Sequence, residues 1–346
     1  MRLKKRITYR DSGVNIDAGQ EAVRRMKGYV RTTFNKNVLG DLGSFGGLFK
    51  FNAKAYKEPV LVSSTDGVGT KIMVAAAAKR FHTIGQDLVN HCVNDILVQG
   101  ARPMFFLDYY ATGILNPKHC AEVVRGLSIA CKQQGTVLIG GETAEMPGLY
   151  APGDFDLAGT IVGAVDKKDI ITGEDVRAGD VLLGLPSVGL HTNGYSLARK
   201  VLLRKGVSLH KKDPDLGGES LADALLKPHK CYADLMLPIF KKVKVRALSH
   251  LTGGGFYDNI PRVLPKGCGV VVKRGTWPIL PIFQKIVREG GVPEKDAYRT
   301  LNMGIGLVVI VREADKAKAI GLLKKGKSKV YEIGRVIKGK SVVELA

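Results

Sequence analysis

Two rhythms alternate along this chain. Stretches in which apolar residues return every three to four positions read as amphipathic helices, and short apolar runs bounded by turn residues read as strands. The first half predicts a helix over residues 19–33, a strand over 59–64 and a helix over 83–99. A strand over 104–111, a helix over 118–134 and strands over 136–139 and 155–165 follow. Thr83 is placed to cap the 83–99 helix. On that helix Ile84, Leu88, Cys92, Val93, Ile96 and Leu97 share one face, while Asp87, Asn90, His91, Asn94 and Asp95 share the other. Residues 39–48 are too rich in glycine for either rhythm and read as a loop.

The second half mixes the same elements. Strands are predicted over 180–185, 245–251, near Val270 and over 305–311, with helices from about Asn193, over 255–263, over 279–289 and over 314–324. Strands and helices interleave in both halves, so the fold class is α/β or α+β, and the family resemblance given below selects α+β. At 346 residues the chain exceeds the size at which one core stops growing. Two mixed α/β domains are expected, 1–167 and 168–346, divided at the polar turn Asp166-Lys-Lys-Asp169.

Composition narrows the class. Apolar residues make up 45% and charged residues 25%, ordinary values for a globular protein. No apolar run reaches the roughly 18–20 residues of a membrane span. The basic start, Met1 to Arg6, leads into polar residues instead of an apolar stretch, so a signal peptide is not expected. Five widely spaced cysteines with no Cys-x-x-Cys predict free thiols in a reducing cytoplasm. The net charge of +21 is unusual: residues 1–166 carry 20 basic and 15 acidic side chains, and residues 167–346 carry 33 and 17. The basic residues are scattered and lack interleaved aromatics. Anionic substrates explain them more simply than nucleic acid does.

Three runs place carboxylates beside small residues, a combination that lets a metal-bound polyphosphate approach the backbone. In Thr65-Asp66-Gly67-Val-Gly69-Thr-Lys71, Asp66 is a candidate ligand for Mg²⁺, while the glycine amides and Lys71 are candidates for phosphate. Asp95 precedes Gly100-Ala-Arg-Pro103 and is a second cation candidate. Gly140-Gly-Glu142-Thr-Ala-Glu145 offers either a metal ligand with an acid/base group or the capped start of a helix. No Gly-x-x-x-x-Gly-Lys-Ser/Thr run exists, which excludes a Walker-type loop. His191 with Asn193, and His250 with Thr252-Gly253-Gly254-Gly255, sit at predicted strand-to-helix junctions suited to phosphate. His82, His119, His210 and His229 read as surface or structural histidines.

Taken in order, these motifs resemble those of the phosphoribosylformylglycinamidine cyclo-ligase family. The resemblance runs from about Thr8 to Ile337 and includes Gly13-Val-Asn-Ile-Asp-Ala-Gly19, Phe105-Phe-Leu-Asp-Tyr109, His250-Leu-Thr-Gly-Gly-Gly255 and Asn259-Ile-Pro-Arg-Val-Leu-Pro265. Ser44, Ser64 and Met303 depart from the family's usual pattern. The resemblance implies a cytoplasmic homodimer whose N-terminal sheets complete a barrel across the interface, with ATP sites nearby. It implies Mg²⁺–ATP held by Asp66, Asp95 and Glu142, with Thr65, Gly67, Gly69, Lys71 and Gly46 at the nucleotide. The substrate's ribose phosphate would meet Asn193, Thr252 and Gly253 to Gly255, and His191 or His250, with Glu142, would serve catalysis. Relatives in the wider superfamily fit less well. Selenophosphate synthetase needs a reactive residue in the N-terminal loop, where no cysteine precedes Cys92, and a hydrogenase-maturation protein needs a C-terminal cysteine. Thiamine-monophosphate kinase lacks the long Gly-Gly-Glu-Thr-Ala-Glu-Met-Pro run.

Overall fold

The computed structural model describes residues 7–346; the basic start lies outside the described residues. The first half builds one sheet from β1 (Pro59–Gly67), β2 (Arg102–Thr112), β3 (Val137–Glu145) and β4 (Phe155–Asp166), in the order β1-β4-β2-β3. β1 and β2 run antiparallel to β4, and β2 runs parallel to β3. Helices α1 (Ile16–Arg31), α2 (Lys71–Ala78), α3 (His82–Leu97) and α4 (Pro117–Gln133) accompany it. Asn15 caps α1 by accepting from the Ala18 amide, and Asn116 caps α4, with Pro117 supplying a first turn that needs no donor.

α3 lies at the centre of this half, against the sheet on one side and α4 on another. Gly85 and Gly126 permit the α3–α4 crossing. A Cβ on Gly85 would stand 2.1 Å from the Val123 carbonyl oxygen, and one on Gly126 would stand 1.9 Å from that of His82. Leu88 reaches the sheet where Gly159 leaves space for it and for Phe106. The alternation of β1 follows: Val60, Val62, Ser64 and Asp66 turn toward the helices, and Leu61, Ser63 and Thr65 turn away.

The second half holds β5 (Val181–Pro186), β6 (Ala247–His250), β7 (Cys268–Val272), β8 (Ile305–Val311), β9 (Tyr331–Lys338) and β10 (Val343–Leu345), in the order β10-β7-β9-β5-β8-β6. Its helices are α5 (Tyr195–Leu202), α6 (Leu221–Leu225), α7 (Ala233–Phe240), α8 (Gly255–Asn259), α9 (Pro281–Gly290), α10 (Glu294–Thr300) and α11 (Glu313–Lys325). β8 is buried at all seven positions. The mixed α/β expectation holds in both halves, and the cysteines are free, with only Cys231 partly exposed.

Three local expectations need correction, and the polar face of α3 adds a fourth finding. The strand expected over 136–139 continues to Glu145, because β2 pairs with it as far as Thr112. The 140–145 motif is therefore strand, and no helix starts there. Thr83 lies inside α3 behind Phe81, and its hydroxyl has no hydrogen-bond partner. The 255–263 helix stops at Asn259 and continues as a 3₁₀ turn over Ile260–Val263, where Pro261 cannot donate to an α-helical ladder. The polar face of α3 is buried as well as the apolar one, with Asp87, Asn90, His91 and Asn94 all at 6% exposure or less.

Candidate functional site

The polar face of α3 meets the second half along a seam. At its centre His91 stands between two carboxylates. Its Nε2 is 2.9 Å from Asp66 Oδ2 at the end of β1 and 3.8 Å from Asp95 Oδ2 one helical turn on. Its Nδ1 is 2.6 Å from the Thr192 hydroxyl of the second half. Burial alone would lower the His91 imidazole, but the hydrogen bond to Asp66 and the charges of Asp95 and Asp66 outweigh it and hold His91 above the ordinary histidine value. Burial would raise the two carboxyls; the His91 contact outweighs this for Asp66, and the His250 contact for Asp95, so both stay below the usual carboxylate value.

His250, at the end of β6, gives Asp95 a second partner: its Nδ1 lies 2.8 Å from Asp95 Oδ1. His191 and His229 complete a group of four imidazoles, with His191 stacked on His229 at 4.0 Å between centroids and His229 at 5.0 Å from His250. Burial lowers His250 despite Asp95, and burial with neighbouring positive groups keeps His191 and His229 well below the ordinary value. His191 adopts φ +63°, a conformation that favours glycine, and Gly306 leaves the space it needs: a Cβ there would stand 2.6 Å from His191 Cε1. His229 is buried in this group at 1% exposure, so of its two readings, surface or structural, the surface one is excluded. Nothing near it in sequence signals this; only the seam brings it to α3.

Lys71 does not reach this site as a phosphate ligand. It is fully buried, with Nζ 2.7 Å from Asp87 Oδ2, and it donates to the carbonyls of His191 at 3.0 Å and Lys227 at 2.9 Å. All three ammonium protons are thereby engaged. Burial pulls Lys71 below and pushes Asp87 above its usual value, against their mutual attraction.

Glu142 also stands apart. It pairs with Tyr109, which pairs with Ala158, on the face of the first sheet turned away from α3, whereas Asp66 pairs with Gly159 on the α3 side. Three strand spacings, about 14 Å, further separate the two carboxylates. Thr65 shares Glu142's face, its hydroxyl 2.8 Å from that of Thr160. Glu145 accepts from the amides of Asn15 at 2.6 Å and Leu115 at 2.7 Å, a structural clamp. Gly46 lies in the exposed 39–48 loop with nothing packed against it, and Phe49 just beyond meets Phe105 in a tilted ring contact at 5.2 Å between centroids. Gly67 donates its amide to Asp66 Oδ1 at 2.6 Å, and Gly69 turns the chain into α2 with φ +65°.

The two glycine-bearing junctions of the second half do come together. A Cβ on Gly253 would stand 3.1 Å from Asn193 Oδ1, and Asn259 Nδ2 donates to the carbonyls of Gly253 and Gly255, fixing the Thr252–Gly255 turn. α8 behind that turn is only five residues long, so the loop amides, more than a helix dipole, are available to an anion. Gly253 is exposed, Gly254 has φ +95° and Gly255 has φ +55°. A groove of 960 Å³ opens elsewhere on the seam, among Arg102, Lys168, Lys241 and Lys242.

For Mg²⁺, the donor set fits. Asp66 is 43% exposed and Asp95 24%, each keeps free carboxylate lone pairs, and both converge on one imidazole. A hard cation seeks such oxygens.

Residues 52–165 match the N-terminal domain of the AIR synthase related proteins, and residues 177–345 match their C-terminal domain. The phosphoribosylformylglycinamidine cyclo-ligase of Alkaliphilus oremlandii is 49% identical over 98% of this chain and 100% of its own length. That of Shouchella clausii is 52% identical over 95% of each. The chain belongs to the phosphoribosylformylglycinamidine cyclo-ligase family. Among solved structures, a thiamine-monophosphate kinase from Stenotrophomonas maltophilia superposes with a TM-score of 0.68 at 17% identity, over 94% of this chain and 95% of its own. A hydrogenase maturation protein HypE in complex with ATP superposes with a TM-score of 0.67 at 18% identity, over 97% and 93%. Both share the fold of the cyclo-ligases.

Proposed function

We infer that the protein is an ATP-dependent cyclo-ligase of purine biosynthesis, converting formylglycinamidine ribonucleotide to 5-aminoimidazole ribonucleotide, ADP and phosphate. Its family membership across nearly the whole chain supports the activity. The observation that carries the site is the convergence of Asp66 and Asp95, from two separate elements, on His91 beside His250.

The chemistry explains what such a site must do. An amide oxygen is a poor leaving group. Transfer of the ATP γ-phosphoryl group to it gives an iminophosphate, and the neighbouring amidine nitrogen then attacks the carbon, closes the ring and expels phosphate. The protein's part is positioning and charge neutralisation. Asp66 and Asp95 would hold Mg²⁺, whose role is to neutralise the transferring phosphate. Gly69 would offer its backbone amide to the nucleotide, Gly67, whose own amide is held by Asp66, would let the nucleotide approach the backbone, and Asn193, Thr252 and Gly253 to Gly255 would face the substrate's ribose phosphate. His250, held by Asp95, is placed to move a proton or to balance charge; His191 is enclosed and supports it. The N-terminal unit, 1–167, binds nucleotide and the C-terminal unit, 168–346, binds substrate.

Thr65, Glu142 and Gly46 enter this reading through a homodimer. They lie on or beside the open face of the first sheet, and a second copy covering that face would enclose them. A cytoplasmic location is consistent with the absence, among the described residues, of any helix able to cross a membrane.

The purified protein should form ADP and aminoimidazole ribonucleotide together from ATP and formylglycinamidine ribonucleotide. Asp66→Asn and Asp95→Asn should each lower kcat/KM at least about 100-fold with unchanged circular dichroism, since each removes a charge worth several kcal/mol at the phosphate. Wild-type, Mg²⁺-dependent ADP formation by either variant would overturn the assignment.

A further inference from the structure

The 960 Å³ groove on the seam carries a charge that the protein does not answer. Arg102, Lys168, Lys241 and Lys242 are exposed on its rim, and none of them makes an ion pair or a side-chain hydrogen bond among the described residues. Lys244 on the same rim is paired with Asp175. Against these five basic side chains the lining offers two acids, Asp166 and Asp169. Asp166 is already engaged, accepting from the amides of Lys57 at 2.8 Å and Glu58 at 2.9 Å. The groove also lies far from the catalytic carboxylates. Asp66 pairs with Gly159 and Pro59 pairs with Asp166, seven residues or about 23 Å along the strands.

Below the rim the walls are apolar. Tyr56 stands on the first half, stacked on Phe51 at 5.8 Å between ring centroids, and Leu237 and Phe240 stand on the second. The floor is the linker 166–171, where the chain crosses from one half to the other. It is tied to the end of α3: the Ile171 amide donates to the Gln99 carbonyl at 3.2 Å, and a Cβ on Gly100 would stand 2.9 Å from the Asp169 carbonyl oxygen. A cationic rim above apolar walls selects an anion with an apolar body. Inorganic phosphate gains nothing from such walls, and a neutral aromatic molecule gains nothing from such a rim. The arginine fork beside lysines suits a phosphate, and aromatic side chains on both walls suit a flat base. A nucleoside phosphate joins the two, and the volume is that of a small-molecule site. A nucleic-acid strand needs positive charge along an extended track, whereas these cations ring one cavity.

We propose that this groove is a second ligand site, for a nucleoside phosphate, distinct from the site of Mg²⁺–ATP. The assignment does not depend on the cyclo-ligase reading. α7 gives the site a consequence. The Tyr232 amide just before that helix is held by Asn94 Oδ1 of α3 at 2.9 Å, and the last residue of the helix, Phe240, lines the groove. An occupant touching the linker and the end of α7 ties the two halves together through the same pair of helices that encloses the histidines.

The test is calorimetric titration of the full-length protein with adenosine 5′-monophosphate, with hydrogen exchange locating the bound ligand. Saturating nucleotide should slow amide exchange over the linker 166–171 and over 237–245. Lys241→Glu with Lys242→Glu, both at exposed positions, should weaken that binding at least about 10-fold while kcat without added monophosphate stays unchanged. Adenosine and inorganic phosphate should each bind at least about 10-fold more weakly than the nucleotide. Equal affinity for either fragment would overturn the proposal, since one of the two surfaces would then contribute nothing. Protection confined to the turns at 191–193 and 250–255 would also overturn it, by placing the nucleotide in the substrate site. So would unchanged affinity in the double variant. A twelve-nucleotide RNA that binds at least about 100-fold tighter than the monophosphate, and is lost in the same variant, would give the groove to nucleic acid instead. The exchange pattern of the unaltered protein decides the location even if the double variant does not fold.

Discussion

The two sheets are covered differently. β8 is buried at every position and β5 at all but its last, so the second sheet has neighbours on both faces. In the first sheet β1 alternates, with Leu61 61% exposed while Val60 and Val62 pack toward α3. Tyr109 on β2 is 39% exposed, on the same outward face as Glu142. A half-covered sheet with leucine and tyrosine on its bare face is the surface that the proposed homodimer would cover. The seam polar groups, by contrast, are already enclosed within one chain. The molecule thus has one finished polar interior and one apolar face left open.

The sharpest break of this comparison is Leu61→Asp. If two copies cover the open face, the symmetry places two new unpaired charges in one interface, and the dimer's Kd should rise at least about 1,000-fold. Sedimentation should show a monomer with an intact circular dichroism spectrum. A wild-type protein that is already an active monomer at micromolar concentration would remove the interface from the account.

Lys71→Met probes the finished side. Leaving Asp87 charged and unpaired in the interior should cost about 3–5 kcal/mol in denaturant unfolding, and replacing Asp87 by leucine as well should recover most of it. A variant of normal stability whose KM for ATP alone has risen would return Lys71 to the phosphate.

Asp108 tests the layer between. It sits on β2 facing the helices, and burial pushes its carboxyl up to about 7. The unfolded carboxyl titrates near 3.8, so the folded state holds the proton longer and loses stability as pH rises from about 4 to 7. Asp108→Asn should abolish that slope and stabilise the protein at pH 8 by up to about 4 kcal/mol. Parallel stability curves for the two proteins would refute the buried charge.

The smallest effect concerns the net charge. Raising ionic strength should increase KM for ATP a few-fold and leave kcat nearly unchanged, because screening weakens encounter more than the closed complex. A flat kcat/KM together with tight, salt-sensitive RNA binding would give the charge a different purpose.

Sequence periodicity carried most of the first half because its helices have a clear apolar stripe; α4 is found at Pro117–Gln133 against 118–134 expected. It missed α2, whose Ile72-Met-Val-Ala-Ala-Ala-Ala78 is apolar all round and lacks a stripe. It missed α7, where Pro238 hides the helix, and β9, whose Tyr-Glu-Ile-Gly-Arg-Val-Ile-Lys follows a polar, basic run. At the candidate site, Asp66 and His250 stood out because glycines follow each within a few residues, and Asp95 because it ends a helix face of Asp, Asn and His that lacks Lys and Arg. The meeting of His91 with His229 was not, since 138 positions separate them and only packing of the two halves joins them. Lys71 misled for a local reason. Its place after Gly-Val-Gly-Thr suggests an anion, but the same turn starts α2 and carries the side chain inward.

That inward lysine also sets the order of events in folding. Its three partners lie 16, 120 and 156 residues away, in α3 and in two loops of the other half. Contacts of such separation form only after the long intervening loops have closed. The ammonium must therefore remain hydrated until both halves have nearly assembled, and its dehydration belongs to the last step of folding. Interactions that form after the transition state govern how fast a protein comes apart more than how fast it forms. Lys71 is thus a latch on the unfolding rate, holding shut the seam in which the histidines are enclosed.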